Sequence, residues 1–295
     1  MKIKYVVFLP FTILLPGCNS LLPRLEKTPT EIIMQYPDPI LPDADPEAFG
    51  EDFFEGTFHS APIFSAEGTQ MWWAGEYSSA TIFFSKLDNS TWSEPQVVQF
   101  TENITSYRDP FLSPDGSKFY FISEKEYPGS ETGSPENIWM MIKTNDGWGE
   151  AQPLPESINS LELHWTISVD NENNLYFSAF VNGNWDLFVS YYSEKGYEPP
   201  QNLEMPLSSA DREFTPNIAP DGRYILFSRM PLNSDNPSLY ISYRSPNGWS
   251  EPKKVENISY CISPIVTPDR KYVIYLSSPY SFAWRDTTFI TELEP

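Results

Sequence analysis

Five stretches of the chain repeat one alternation of apolar and polar positions. They read HSAPIFSAEGTQMWW from His59, YRDPFLSPDGSKFYF from Tyr107, LHWTISVDNENNLYF from Leu163, EFTPNIAPDGRYILF from Glu213 and CISPIVTPDRKYVIY from Cys261. Each is a short apolar run, a polar tip and a second apolar run. Such a pattern predicts a β-hairpin, because Asp-Gly at the tip supplies the positive φ that a tight turn demands. A third apolar run follows every copy: ATIFFSKL, NIWMMIKT, WDLFVSYY, SLYISYRS and WRDTTFIT. After the first four comes a turn around an aromatic residue, Trp92, Trp148, Tyr197 and Trp249, at separations of 56, 49 and 52 residues (148 − 92, 197 − 148, 249 − 197).

A period of that size, with three strands and a fourth segment per repeat, predicts four-stranded propeller blades. A lone blade of this kind cannot cover both its faces, so it must stack on its neighbours. The expected fold is all-β, a single β-propeller of five blades over residues 46–295, with blades near 58–100, 107–155, 160–205, 211–256 and 260–291. The fifth copy reaches Pro295 with no aromatic turn and no fourth strand. PEAFGEDFFEGTF, residues 46–58, has no partner of its own and is expected to complete that blade. Joining the two ends of the chain in this way removes an open sheet edge.

Composition narrows the functional classes. The chain has 295 residues, 16% of them aromatic, with 29 Pro and 14 Gly, which suits many short strands between turns. Lys plus Arg number 19 against 40 Asp plus Glu, a formal charge of −21. A field of that sign repels phosphate backbones, so nucleic acid is not an expected partner. Residues 1–17 carry a basic start (Lys2, Lys4) and an apolar stretch from Tyr5 to Leu15, the anatomy of a secretory signal. The stretch is shorter than the roughly 20 residues of a membrane span. Residues 18–45, punctuated by Pro, read as a tether. With only Cys18 and Cys261 in the chain, no intrachain disulfide is expected.

Two resemblances add to these readings. Leu15-Pro16-Gly17-Cys18 resembles the lipobox of bacterial lipoproteins, in which the Cys is diacylated, although Pro16 departs from the usual residue. The resemblance implies lipidation at Cys18, and Asn19 implies an outer-membrane address on the periplasmic side or the cell surface. The Ser-Pro-Asp-Gly repeats resemble the WD40-like (PD40) propeller repeats of the TolB family across nearly all of residues 46–295. That resemblance is specific for fold and nearly silent on activity.

A site is expected where the repeats differ. The residues just before each inner strand sit at the channel mouth, and there the copies diverge: His59, Arg108 and Asp109, His164, and Glu213, with Glu162 and Asp211 just upstream. Both histidines of the chain fall in these prefixes. Here Thr166 is aligned with the Pro that opens the other inner strands. These seven residues form the expected ligand-binding ring, built from four blades. No cofactor is expected, and a divalent metal on the two His with a carboxylate is the less favoured option. The function read from these features is a membrane-anchored, non-catalytic envelope module, monomeric, that binds a glycan or protein ligand or acts as a scaffold. The alternative is a carbohydrate-active enzyme: a glycosidase using Asp109, Glu162 and Glu213, or a metal-dependent lyase using the channel histidines. The tip carboxylates Asp115, Asp221 and Asp269 read as turn residues, not calcium ligands. Trp72, Trp73, Trp139 and Cys261 read as packing residues.

Overall fold

A computed structural model of the chain describes residues 32–295 apart from 33, 39, 77–79, 99, 101–103, 105, 127–135 and 163. The signal, Cys18 and most of the tether lie outside the described residues. Within them the five repeats form five antiparallel blades. The inner strands are Thr57–Phe64, Arg108–Leu112, His164–Val169, Arg212–Ile218 and Ile262–Val266, each paired with the strand that follows its tip. Tip residues Gly68, Gly116, Asn173, Gly222 and Arg270 all have φ between 60° and 70°, the left-handed conformation that the turn requires. Where a tip carries Asp, its carboxylate closes the turn: Asp115 Oδ1 accepts from the Ser113 hydroxyl at 2.6 Å and from the Ser117 N–H at 3.0 Å.

Closure runs as expected, through the N-terminal segment. Glu47–Phe49 pairs antiparallel with Ser281–Asp286, placing Glu47 opposite Trp284 and Phe49 opposite Phe282. The third strand of the last blade is Ser281–Asp286 rather than WRDTTFIT, because Thr288–Glu292 turns into a short helix. Asp286 starts that helix by accepting from the Thr288 N–H at 3.2 Å and its hydroxyl at 2.7 Å. Phe289 then packs between blades 4 and 5.

Apolar side chains segregate into five clusters, one at each blade–blade interface. Trp72 faces the blade 1–2 cluster and its neighbour Trp73 the blade 5–1 cluster, since adjacent strand residues point to opposite faces. Trp139 is buried in the blade 1–2 cluster as well, and Cys261 is a buried free thiol in the blade 4–5 cluster. The end of the segment read as tether belongs to this body. Tyr36 sits 5.1 Å from Trp284 in an edge-on contact, and its hydroxyl donates to Asp269 Oδ1 at 2.9 Å. The aromatic turns reach neighbouring blades: the Tyr197 and Tyr120 hydroxyls are 2.7 Å apart. No helix among the described residues is long and apolar enough to cross a membrane.

Candidate functional site at the channel mouth

Every inner strand carries a register shift beside the position that precedes its Pro or Ile: between Ser60 and Ile63, Arg108 and Phe111, Trp165 and Ile167, Phe214 and Asn217, and Ile262 and Ile265. At four of these shifts one non-glycine residue has positive φ: Asp109 at 47°, Thr166 at 33°, Thr215 at 54° and Ser263 at 54°. Bulges re-aim side chains, and here they turn one residue per blade into the channel. Because four blades share the strained conformation, it belongs to the repeat and is not in itself a mark of catalysis. The same positions correct the alignment of the third copy. Thr166 corresponds to Asp109, Thr215 and Ser263, and it is Ile167 that takes the place of Pro. His59, Tyr107, His164, Glu213 and Cys261 are then the equivalent residues two positions earlier.

Hydroxyls of this ring stitch adjacent blades together. Ser263 Oγ accepts from the Ala61 N–H at 3.2 Å, and Thr215 Oγ1 accepts from the Ser263 N–H at 3.2 Å while lying 2.7 Å from Ser228 Oγ. Between blades 1 and 2 the link is a side-chain pair, His59 Nδ1 to Asp109 Oδ1 at 3.0 Å. Asp109 is 2% exposed, whereas the His59 side chain keeps 23% of its surface. Burial alone would push the imidazole down. The Asp109 carboxylate outweighs it by charge and hydrogen bond, with Glu136 adding and Arg108 opposing, so His59 titrates above its ordinary 6.5.

A cavity of about 120 Å³ opens at this mouth, lined by residues of all five blades, including His59, Asp109, Thr166, Thr215 and Ile262. Asp109 Oδ2 and Thr166 Oγ1 are buried and have no hydrogen-bond partner among the described residues. Unpaired buried acceptors are uncommon because each forfeits its hydration without replacement. The opposite mouth holds a larger cavity of about 280 Å³, formed by the far ends of the inner strands and the repeated tips with Ile32, Phe64 and Phe111 among its walls. That end is built from the positions the repeats share; the His59 end is built from those that vary.

The expected ring assembles in part. His59 and Asp109 meet in the cavity. Arg108 turns to its own blade, donating to Glu124 and Glu136 at 2.7 Å each. Glu213 is fully buried and saturated: Oε1 accepts from Arg229 Nε at 2.7 Å and Ser209 Oγ at 2.6 Å, and Oε2 from the Ser209 N–H at 3.0 Å. Its burial outweighs those bonds and holds its carboxyl above the ordinary range. Glu162 is exposed, and Asp211 Oδ1 accepts from the Leu232 N–H at 3.3 Å. His164 sits opposite Ala179 in its hairpin, with its side chain outside the described residues. Thr166 and Thr215 are the additions, legible in sequence only as the residue before the strand-opening Pro once the third copy is shifted by one. Among the described residues no three His, Cys, Asp or Glu stand close enough to hold a metal.

No protein-family model and no curated protein matches the chain. Solved structures do. TolB from Acinetobacter baumannii matches at 13% identity over 76% of this chain and 53% of its own, with a TM-score of 0.51. A putative TolB from Agrobacterium tumefaciens matches at 15% identity over 73% of this chain and 68% of its own, with a TM-score of 0.52. The chain thus spans about half the length of the first of these. Identities this low speak to architecture alone. In fold, this chain is a TolB-like β-propeller of five four-stranded blades.

Proposed function

We propose that this protein is an exported, lipid-anchored propeller of the bacterial cell envelope that binds a ligand at the His59–Asp109 mouth of its channel. One observation carries the binding half: Asp109 Oδ2 and Thr166 Oγ1 line a cavity there, buried and without a partner among the described residues. A native site leaves buried acceptors unpaired at a cost in stability, which a bound donor would recover. The TolB-like fold is compatible with a binding or scaffolding module. Export and anchoring rest on residues 1–18, the signal anatomy ending in the lipobox-like Leu15-Pro16-Gly17-Cys18. Two acyl chains on Cys18 hold a protein at a membrane where one is marginal. Asn19 is the basis for assigning the outer membrane.

A glycosidase needs two carboxylates facing each other across a cleft. Asp109 is the carboxylate that lines the described cavity, while Glu213 is committed to Arg229 and Ser209. Binding is therefore the better-supported reading. Its test is a screen of glycans and small ligands against the wild type and Asp109→Asn: a ligand whose affinity falls in the variant supports the site, and ligands bound equally by both overturn it. For the anchor, Cys18→Ser should move the protein from the membrane to the soluble fraction; unchanged partitioning would overturn lipidation.

A further inference from the structure

The cavity's own chemistry selects among ligands. Its polar floor offers acceptors: Asp109 Oδ2, and the Thr166 hydroxyl, both without a partner among the described residues. The basic group on the lining, His59, already pairs through Nδ1 with the other Asp109 oxygen. Arg108 is held by Glu124 and Glu136 and does not reach the cavity. The rest of the wall is mixed: Phe58, Ile262, Leu276 and Pro279 supply an apolar side, and Thr215, Tyr260 and Ser278 add hydroxyls. An anion would meet the buried carboxylate and a chain of net charge −21. A purely apolar group would fill the wall and leave Asp109 Oδ2 unpaired. A group with several donors and a positive charge at the tip of a short apolar stem satisfies both halves, because charge-assisted hydrogen bonds to a desolvated carboxylate are the strong ones.

Resting on the binding site proposed above, we infer that the channel mouth takes a primary ammonium on a short alkyl stem, the ammonium donating to Asp109 Oδ2 and Thr166 Oγ1 while the stem packs on Phe58, Ile262 and Leu276.

This arrangement ties binding to the state of His59. Among the described residues, the charged groups acting on that imidazole are Asp109, Glu136 and Arg108. A protonated His59 already neutralises Asp109, so an incoming ammonium displaces the proton. Affinity therefore rises with pH, by up to about tenfold per unit, while His59 is still protonated, and levels off once it is neutral.

The test is calorimetric titration of the full chain with n-butylammonium, and with 1-butanol and butyrate as its neutral and anionic counterparts. Expected are one butylammonium per chain, affinity at least tenfold above that of 1-butanol, and no butyrate binding. Asp109→Asn should weaken butylammonium tenfold or more, and Thr166→Val, which keeps the shape, several-fold. Near neutral pH the heat should vary with the buffer's ionisation enthalpy, reporting proton release, and His59→Gln should abolish that variation. Near-UV circular dichroism of each variant controls for folding, and Thr166→Val serves if Asp109→Asn does not fold. If 1-butanol or butyrate binds as tightly and remains sensitive to the cavity variants, the ammonium assignment is wrong while the site stands. If no probe binds and the variants leave every ligand from the screen unaffected, site and assignment both fall.

Discussion

Truncating Phe49 to Ala tests how the ring is held shut. Phe49 lies on the three-residue strand Glu47–Phe49 that completes the last blade, is 1% exposed, and has Trp284 at 5.0 Å and Phe54 at 5.7 Å between ring centres. Those neighbours are themselves fixed, Trp284 by Tyr36 and Tyr272 and Phe54 by Trp73 and Phe282, so the site collapses poorly around a lost ring. Phe-to-Ala changes in such sites cost about 3–5 kcal/mol, and the rigid walls place this one toward the upper end. For a domain of this size 1 kcal/mol shifts Tm by about 2–4 °C, so the expected fall is about 6–20 °C. Urea unfolding followed by tryptophan fluorescence gives the free energy directly. The control is Val97→Ala on the outer strand of blade 1, where the side chain is 59% exposed and the expected change is within about 0.5 kcal/mol. If Phe49→Ala costs no more than the control, closure through the N-terminal strand does not stabilise the propeller and the reasoning fails.

Three further outcomes follow from the site and its surroundings. His59 is held above its ordinary pKa, so the folded state binds more protons; its contribution is complete below about pH 6.5 and is lost as pH rises through the folded value, a dependence that urea titrations should show in the wild type and not in His59→Gln. Glu213→Ala strands Arg229 without its buried partner and should cost about 3–5 kcal/mol, yet leave ligand affinity at the mouth unchanged, since Glu213 does not line the cavity. Cys18→Ser should release the protein from the membrane fraction, as read by fractionation and by the mass of the N-terminus.

The propeller was legible because its signals are local. Turn tips, alternation and the aromatic turn recur within each copy, and the missing strand of the fifth copy together with the unpaired PEAFGEDFFEGTF revealed the closure. The site was half legible. Its position in the variable prefixes was readable, but which side chain enters the channel depends on a bulge that alternation does not record. The third copy misled by one residue because it replaces both landmarks, with Ile167 where the others have Pro and Asn173 where three have Gly. Glu213 read as a channel acid, but Arg229 stands directly opposite it in the hairpin and draws the carboxylate into the blade. Arg108 is drawn away in the same manner by Glu124 and Glu136. A charged residue in a variable prefix is thus a site residue only when its own blade offers it no counter-ion, which is why Asp109, whose partner comes from blade 1, remains in the channel.

A crystal structure of the full chain grown with n-butylammonium bears most directly on the claim that this mouth is a binding site. The ammonium nitrogen is expected within about 2.7–3.2 Å of Asp109 Oδ2, with Thr166 Oγ1 as a second acceptor. An Asp109 Oδ2 satisfied by a protein donor, with the cavity collapsed and the ammonium bound elsewhere, would contradict it.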